Sequence, residues 1–433
     1  MKILMVSAAI LPFWKCGVAT VVDDIRESLQ KMGHTVGMFA LDLYSHQDSI
    51  VVENDAQCWL TATTVSDKCA YVSDNIPEVK HVNERFIECL SVFRPDVVHF
   101  HTPQYFSLSL IEKAKLAGAR TVITLHDWWW ICPSQFFSPV LGKKCGMVSR
   151  ENCLECMKQT KEGQEEYESR EEAMNVIESI VDCFSCVSSI VYNDFVRIKP
   201  HLQNKTCIIP NPVPERAEKI YPIEGPLTFA FLGGRHEIKG YSQVVEAFSA
   251  LETTGEWKLN IYGGTIQGVT KDKRGIRSYF VKAAKYFFHP IQFARKVKQI
   301  LFGIKIEQKT RSSINHLPSF EKKDIQNILL KNHVVLVCSQ VQESFSLVTY
   351  EAMANGCCVI ATPCGGPETI VESGRNGILL KGFDSGKIEE AIRYLIKSRD
   401  TVEEYRNNAF ELSKEFKKKE EIGRMYLNLY VTQ

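Results

Sequence analysis

Two carboxylates eight residues apart, Glu343 and Glu351, bracket ESFSLVTYE, the segment of this sequence richest in possible chemistry. The apolar run HVVLVCS ahead of it reads as a strand, and Ser344 to Leu347 read as the opening of a helix. N–H groups at Ser344, Phe345, Ser346 and Leu347 would then make an anion site, because the first turn of a helix has unpartnered donors and the positive end of the dipole. Glu343, at the helix mouth, is placed to accept hydrogen bonds from sugar hydroxyls. Glu351, about two turns along, is placed to accept both hydroxyls of a ribose. Upstream, FLGGRHEIKG ends another strand in Gly233-Gly234 and sets Arg235 and Lys239 before Gly240. A diphosphate whose charge rises as a bond to it breaks needs such cations.

Two more strand-like runs, PDVVHFHTPQYF and TVITLHDWWWICP, end in histidines: His99 and His101 in the first, His126 in the second. His99 and His101 fit equally well as packed, hydrogen-bonded residues. Gly17, in LPFWKCGVATVVDDI, falls between the first strand and its helix. Lacking a Cβ, it lets the backbone approach a phosphate or an acceptor closely, or simply makes a tight turn. Cys132, Cys145, Cys153 and Cys156 form a C-x12-C-x7-C-x2-C set in a long loop. Four thiolates ending in C-x-x-C suit tetrahedral zinc, and a loop of this length needs something to hold it. Reduced structural thiols or a disulfide pair are the other readings.

The scaffold for these residues must turn strands into helices repeatedly, and the sequence does so. MKILMVS, TVGMFAL, PDVVHFH, TVITLH and CFSCVSSI alternate with amphipathic stretches, which predicts parallel β-α-β units covered on both faces. Five prolines in KTCIIPNPVPERAEKIYPIEGPL interrupt the series and predict a linker near 211–223. A second series then follows: TFAFLGG, WKLNIYGG, HVVLVCS and CCVIATP. The domains expected are 1–212 and 213–409, doubly wound and α/β, with ligands at the carboxyl ends of strands facing a cleft.

With 433 residues, 45% hydrophobic and 24% charged, the chain can bury two such cores. Fifty-two Lys and Arg balance fifty-one Asp and Glu, so the molecule as a whole is no polyanion binder. No apolar run reaches the ~18 residues of a membrane span. MKILMVSAA reads as a buried first strand and not a signal peptide, because Pro12 interrupts it and no small-residue cleavage site follows. The fifteen cysteines are mostly scattered singly through apolar segments, as at Cys183, Cys186, Cys207 and Cys338. That suits buried thiols of a reducing cytoplasm.

The segment from EKKDIQNILL to ESGRNGILL, with FLGGRHEIKG and the glycine after the first strand, resembles glycosyltransferase family 4, the group 1 glycosyl transferases. The resemblance covers nearly the whole chain. It implies the GT-B architecture, two Rossmann-like domains facing a cleft, with a helix in 410–433 returning to the first domain. It implies a retaining transfer of a sugar from a nucleotide diphosphate, with the donor on the C-terminal half and the acceptor on the N-terminal half. By this resemblance Glu343 contacts the donor sugar, the Phe345-Ser346-Leu347 backbone the diphosphate, and Glu351 the ribose. Arg235 and Lys239 neutralise the diphosphate, His126 lies near the sugar, and Gly17 belongs to the family's glycine loop. The family usually has Gly where this chain has Ser346, and commonly one more residue between its Arg and Lys.

A nicotinamide site would need G-x-G-x-x-G after a strand, and a metal-dependent transferase of the other large fold would need Asp-x-Asp; the sequence has neither. No cofactor or divalent metal is therefore expected in catalysis, leaving zinc as a structural possibility. Residues 265–312 carry twelve Lys and Arg against Asp272 and Glu307, with Phe280, Ala283, Ala284 and Phe287 at helical spacing and, after Pro290, Phe293, Ala294, Val297, Ile300 and Leu301 continuing another helix. A basic helix with an aromatic face suits an anionic membrane surface. A nucleic-acid arm or a packed insertion is the alternative. The partners expected are a nucleotide-sugar donor, a glycan or lipid-linked acceptor and the membrane surface, without nucleic acid, for a cytoplasmic protein peripheral to the inner membrane face. A nucleotide-sugar epimerase, a phosphorylase or a non-catalytic polysaccharide-assembly protein could use the same fold.

Overall fold

The computed structural model describes the chain apart from residues 12–15, 43–46, 54–55, 64–76, 140, 158–161, 215, 253–254, 264–312 and 433. The basic stretch 265–312 thus lies outside the described residues. The chain divides into two compact units. The first comprises Met1–Pro139, Lys144–Pro214 and Phe416–Gln433, and the second comprises Val140–Lys143 and Glu215–Glu415. The division between Pro214 and Glu215 falls within the proline-rich stretch.

In the first unit an eight-stranded sheet runs in the order β3-β4-β2-β1-β5-β6-β7-β8. Its strands are β1 (Lys2–Val6), β2 (Thr35–Asp42), β3 (Ser49–Glu53), β4 (Ala56–Ala62), β5 (Val97–Phe100), β6 (Arg120–Leu125), β7 (Cys183–Cys186) and β8 (Thr206–Ile208). Only the β3–β4 pair is antiparallel; the other pairs are parallel. The stretch read as a first buried strand is β1, central in the sheet and buried from Ile3 onward. Near-continuous apolar runs are what a parallel sheet covered on both faces requires. The helices are α1 (Gly17–Lys31), α2 (Pro77–Phe93), α3 (Ser109–Leu116), α4 (Arg150–Met157), α5 (Glu162–Ile180) and α6 (Ser189–Ile198).

The second unit holds a six-stranded, all-parallel sheet in the order β11-β10-β9-β12-β13-β14. The strands are β9 (Leu227–Phe231), β10 (Trp257–Tyr262), β11 (Ile314–Leu317), β12 (Val334–Val337), β13 (Cys358–Ala361) and β14 (Gly377–Leu379). Its helices are α7 (Tyr241–Ser249), α8 (Ile325–Leu329), α9 (Leu347–Ala354), α10 (Ser385–Lys397) and α11 (Arg399–Leu412). The first strand of this unit lies between its second and fourth, which is the doubly wound order. The switch point therefore falls between β9 and β12. In the first unit it falls between β1 and β5. Phe229, Phe248 and Trp257 interlock in the second core, with ring centroids 5.1 and 5.2 Å apart in the two successive pairs.

The chain ends in α12 (Lys419–Val431), which belongs to the first unit. Of the 410–433 stretch expected to hold a returning helix, the first residues finish α11, which closes at Leu412, and a turn over Ser413–Glu415 precedes α12. α12 lies on α1, where Lys419 pairs with Glu27 at 2.8 Å. Gly423 packs so closely there that a Cβ would stand 2.2 Å from Ser28 Oγ. Among the described residues no helix is long and apolar enough to cross a membrane.

Candidate functional site

In the second unit the chemistry gathers at the switch point. β9 leads into a turn over Glu237–Lys239 and then Gly240, whose φ of +84° opens α7. A Cβ at Gly240 would lie 2.1 Å from the carbonyl oxygen of Cys338, just past β12, so only glycine fits. Gln340 N–H donates to the Ile238 carbonyl at 2.8 Å and fastens the turn before α7 to the segment after β12. On the other side, Glu343 N–H donates to Cys364 at 2.6 Å, and Gly366 N–H donates back to Glu343. Gly366 is held so near the Phe345 carbonyl that a Cβ would approach it to 2.4 Å.

This framework sets Lys239 Nζ 2.7 Å from Glu343 Oε1. The same carboxylate oxygen accepts a hydrogen bond from Ser339. Burial works against the charged form of Glu343. The charge of Lys239 and hydrogen bonds from Lys239, Ser339 and Ser346 outweigh it and hold the carboxyl below the usual range. The charge of Glu343 in turn raises the ammonium of Lys239, against the effect of burial. Two groups expected to meet a ligand separately are thus partners of each other.

The helix opens at the last of the four residues read as its start. Ser344, Phe345 and Ser346 form a bend, and α9 starts at Leu347. Ser346 adopts φ +67°, ψ +70°, a left-handed conformation that a non-glycine residue rarely takes. Glu351 is accordingly the fifth residue of α9, one turn in, and is half-buried. Phe345 stacks on Tyr350 with centroids 4.2 Å apart and planes 7° from parallel. Arg235 is exposed just after Gly234.

The histidines of the first unit form a buried polar cluster. His99 is fully buried, His101 is 1% exposed, and His126 is partly buried. His99 shares hydrogen bonds with Tyr430 OH and Thr124 Oγ1, both at 2.7 Å. Thr124 Oγ1 continues to Ser185 at 2.6 Å and to Tyr426 OH at 3.2 Å. His101 Nδ1 meets His126 Nε2 at 3.1 Å. Burial drives His99 and His101 well below the ordinary imidazole range, and His126 down to about 3. All three rings are therefore neutral. The side chains after His126 are pinned: Asp127 accepts from Trp129 N–H at 2.7 Å and Gln135 Nε2 at 2.6 Å, and Trp130 Nε1 donates to Glu178 at 2.9 Å. Gly17 is the first residue of α1, exposed and capped by Cys16.

The four loop cysteines share one neighbourhood. Cys132 N–H donates to Trp128 and Cys145 N–H to Phe137, and the Trp128 and Phe137 rings stack 5.7 Å apart. Cys153 and Cys156 stand three residues apart on α4, on one face. Burial pushes the Cys153 thiol up to about 11, with Cys132, Cys145 and Cys156 adding to the effect. Among the described residues no three His, Cys, Asp or Glu side chains stand at metal-holding geometry. The four cysteines are free thiols.

Sequence reasoning did not find Ser339, the Gly365-Gly366 clamp, Thr124, Tyr426 or Tyr430. Gly365-Gly366 after a strand was a readable sign of close backbone approach; the tyrosines act across the fold and left no local sign.

Residues 16–216 match the family described as glycosyltransferase family 4, and residues 214–412 match glycosyl transferases group 1. Spore coat protein SA of Bacillus subtilis (strain 168) is 31% identical over 22% of this chain, a match that spans 25% of that relative's length. Among solved structures, sucrose-phosphate synthase from Thermosynechococcus elongatus superposes with a TM-score of 0.67 at 16% identity, covering 99% of this chain and 98% of that one. Anabaena HepE in complex with UDP-glucose has a TM-score of 0.64 at 15% identity, with 99% and 98% covered. At these identities the structures establish the fold: two Rossmann-like domains of the GT-B kind.

The Lys239–Glu343 pair gives a pH signature. Glu343 titrates lower in the folded chain, so its contribution to stability is full above the ordinary carboxylate value of ~4.3 and fades as pH falls through the folded value. Lys239 titrates higher, so its contribution is full below ~10.4 and fades as pH rises through the folded value. Lys239→Met should therefore destabilise the protein most near neutral pH, with the gap to wild type closing toward acid. Urea unfolding across a pH series measures it; a gap that does not change with pH would count against a charge-based pair.

Proposed function

The chain belongs to the glycosyltransferases of group 1 and family 4, and from that premise we propose that it moves a sugar from a nucleotide diphosphate to an acceptor hydroxyl with retention at the anomeric carbon. The observation carrying this reading is the meeting of Lys239 and Glu343 at the switch point of the second sheet, where doubly wound folds bind ligands. The structural neighbour HepE holds UDP-glucose, which supports a nucleotide sugar as donor here.

In this reading Arg235, Lys239 and the backbone from Ser344 to Leu347 take up the diphosphate charge, and Glu351 accepts the ribose hydroxyls. Glu343 and His126 contact the sugar, and Gly17 allows close backbone approach. The anomeric C–O bond breaks as the acceptor oxygen attacks from the same face, and the departing phosphate oxygen takes the acceptor proton. Protein cations and the start of α9 stabilise the leaving group in place of a divalent metal. The acceptor is a glycan or a lipid-linked saccharide of cell-surface polysaccharide synthesis. The net charge of 265–312 supports a cytoplasmic protein peripheral to an anionic membrane face. Cys132, Cys145, Cys153 and Cys156 would hold one structural zinc ion only by drawing closer than they stand here, where no three of them are at metal-holding geometry.

Glu351→Ala and Arg235→Ala should weaken nucleotide binding about ten- to a hundredfold, the scale of one charge-assisted hydrogen bond, while Glu343→Ala chiefly lowers transfer. Calorimetry with nucleotide sugars and a transfer assay without added magnesium or manganese check both parts. Folded variants with unchanged binding and kinetics, or turnover only with added metal, would refute this site; conversion of a nucleotide sugar without any acceptor would point to an epimerase.

Elemental analysis of protein purified without chelator should find about one zinc per chain, and Cys153→Ser should lower zinc content and melting temperature together. A well-folded, metal-free chain would end the zinc assignment.

Co-sedimentation should show binding to anionic but not neutral vesicles, weakened by salt and by deletion of 265–312. Equal binding of intact and deleted chains to both kinds of vesicle would exclude a membrane role for that segment; preference for RNA would favour the nucleic-acid alternative.

A further inference from the structure

Glu343 is held by donors from three elements. Lys239, in the turn before α7, and Ser339, just past β12, both meet its Oε1. Ser346, the N-cap residue of α9, bonds to the same carboxylate. Both serines are buried, and their backbones are fixed. The Ser339 carbonyl accepts from Thr362 Oγ1 at 2.8 Å, and the neighbouring Cys338 carbonyl lies against Gly240. The Ser346 carbonyl accepts from Thr349 N–H at 2.9 Å, and its hydroxyl lies 3.0 Å from Thr349 Oγ1.

The three donors differ in kind. An ionised carboxylate only accepts, so each serine hydroxyl spends its one proton on Glu343. Lys239 carries three N–H donors and a charge, and its side chain is 43% exposed against 13% for that of Glu343. A diphosphate arriving at the switch point would draw on the charge of Lys239 and add its own negative charge beside a carboxylate that burial already disfavours. The serine bonds carry no charge for a diphosphate to claim. Cys364, past β13, also acts on this group, but burial pushes its thiol well up and keeps it neutral.

We propose that Ser339 and Ser346 are positioning residues that keep Glu343 ionised while Lys239 is shared with the donor diphosphate. The assignment deepens the reading of Glu343 as the group that meets the transferred sugar and rests on that reading for its effect on transfer. An ionised Glu343 offers a sugar hydroxyl a charged acceptor. A protonated one has no charge and gives up an acceptor site to its own proton.

Ser346 supplies a variant that separates this role from a merely structural one. At φ +67° glycine is the better backbone residue, so Ser346→Gly removes the hydroxyl and relieves the backbone together. A serine kept for structure alone would lose nothing by that change. Ser339→Ala is the companion variant.

The test combines two readouts. In glutamate-labelled protein the carbon-13 signal of the Glu343 carboxyl, identified by Glu343→Gln, is titrated without ligand and with saturating UDP, which the structural neighbour HepE binds. UDP should raise the wild-type titration as Lys239 is shared. Ser346→Gly and Ser339→Ala should each raise it further, by about one to two pH units, the worth of one hydrogen bond to a charged group. In transfer assays kcat reports the donor-bound enzyme. Each variant should lose about ten- to a hundredfold in kcat on the acid side, the same shift read as a rate, and return toward wild type as pH rises.

Folded variants whose Glu343 titrates as in wild type with and without UDP, or whose kcat is lowered equally at every pH, would overturn the proposal. A wild-type titration that saturating UDP leaves unmoved would overturn the sharing of Lys239, and with it the placing of the diphosphate. The predicted titration shift with kcat unaltered at every pH would uphold the role of the serines and instead overturn the placing of Glu343 at the sugar.

Discussion

The contact of Gly240 with the Cys338 carbonyl governs the geometry of the second unit's site. With a Cβ excluded at 2.1 Å, the start of α7 and the end of β12 are drawn together as closely as backbones can be. Gly366, against the Phe345 carbonyl, does the same from the side of β13. Between these approaches the chain has little freedom. Lys239 directly precedes one glycine contact, and Glu343 is held by backbone bonds to Cys364 and Gly366. The ion pair at 2.7 Å follows from where the backbone can go. Pairing offsets the burial of the carboxylate; without Lys239 the same position would favour a neutral acid.

The first unit builds a buried polar cluster beside β5 and β6 from groups that carry no paired charge. His99, Thr124, Ser185, Tyr426 and Tyr430 are buried and linked by hydrogen bonds, His101 packs on His99 and bonds to His126, and burial disfavours the charged form of the imidazoles. Two of these groups come from α12, and Tyr430 is 331 residues from the histidine it bonds. The polar interior of the first sheet is thus incomplete until the end of the chain docks. Loop-closure entropy grows only with the logarithm of length, so a connection this long costs little more than a moderate one. Gly423 against Ser28 and the Lys419–Glu27 pair set the height at which α12 meets α1, and hence whether Tyr426 and Tyr430 reach their partners.

The central strands were legible because a parallel sheet covered on both faces needs unbroken apolar runs, and KILMV, VVLV and CVIA are such runs. The pairing of β3 with β4 was not, since SIVVE and AQCWLTA carry no tight-turn signal of the Asn-Gly kind between them. Lys239, Glu343 and Glu351 could be picked out because each follows an apolar strand at the turn into a helix or lies on that helix, where a ligand's charge and hydroxyls would be met. Their pairing could not, because it depends on backbone approaches measured in tenths of an ångström. α9 starts at Leu347, the last residue of the stretch read as its opening, and what stops the helix from starting earlier is the left-handed Ser346 at its N-cap.

Ser346 shows how a local penalty can serve the site. A non-glycine residue in the left-handed region costs about 1–2 kcal/mol. A glycine would avoid that cost but would lose the hydroxyl, which lies 3.0 Å from Thr349 Oγ1 and bonds to Glu343. A hydrogen bond to a charged group contributes about 1.5–3 kcal/mol, enough to offset the backbone term. The serine hydroxyl has a single proton, so if it donates to Glu343 then Thr349 must donate to Ser346. Glu343 then accepts from Lys239, Ser339 and Ser346. A carboxylate offers about four lone-pair sites, so roughly one remains for a ligand hydroxyl while the pair with Lys239 is closed. The same contacts that keep Glu343 ionised therefore limit how many groups it can hold.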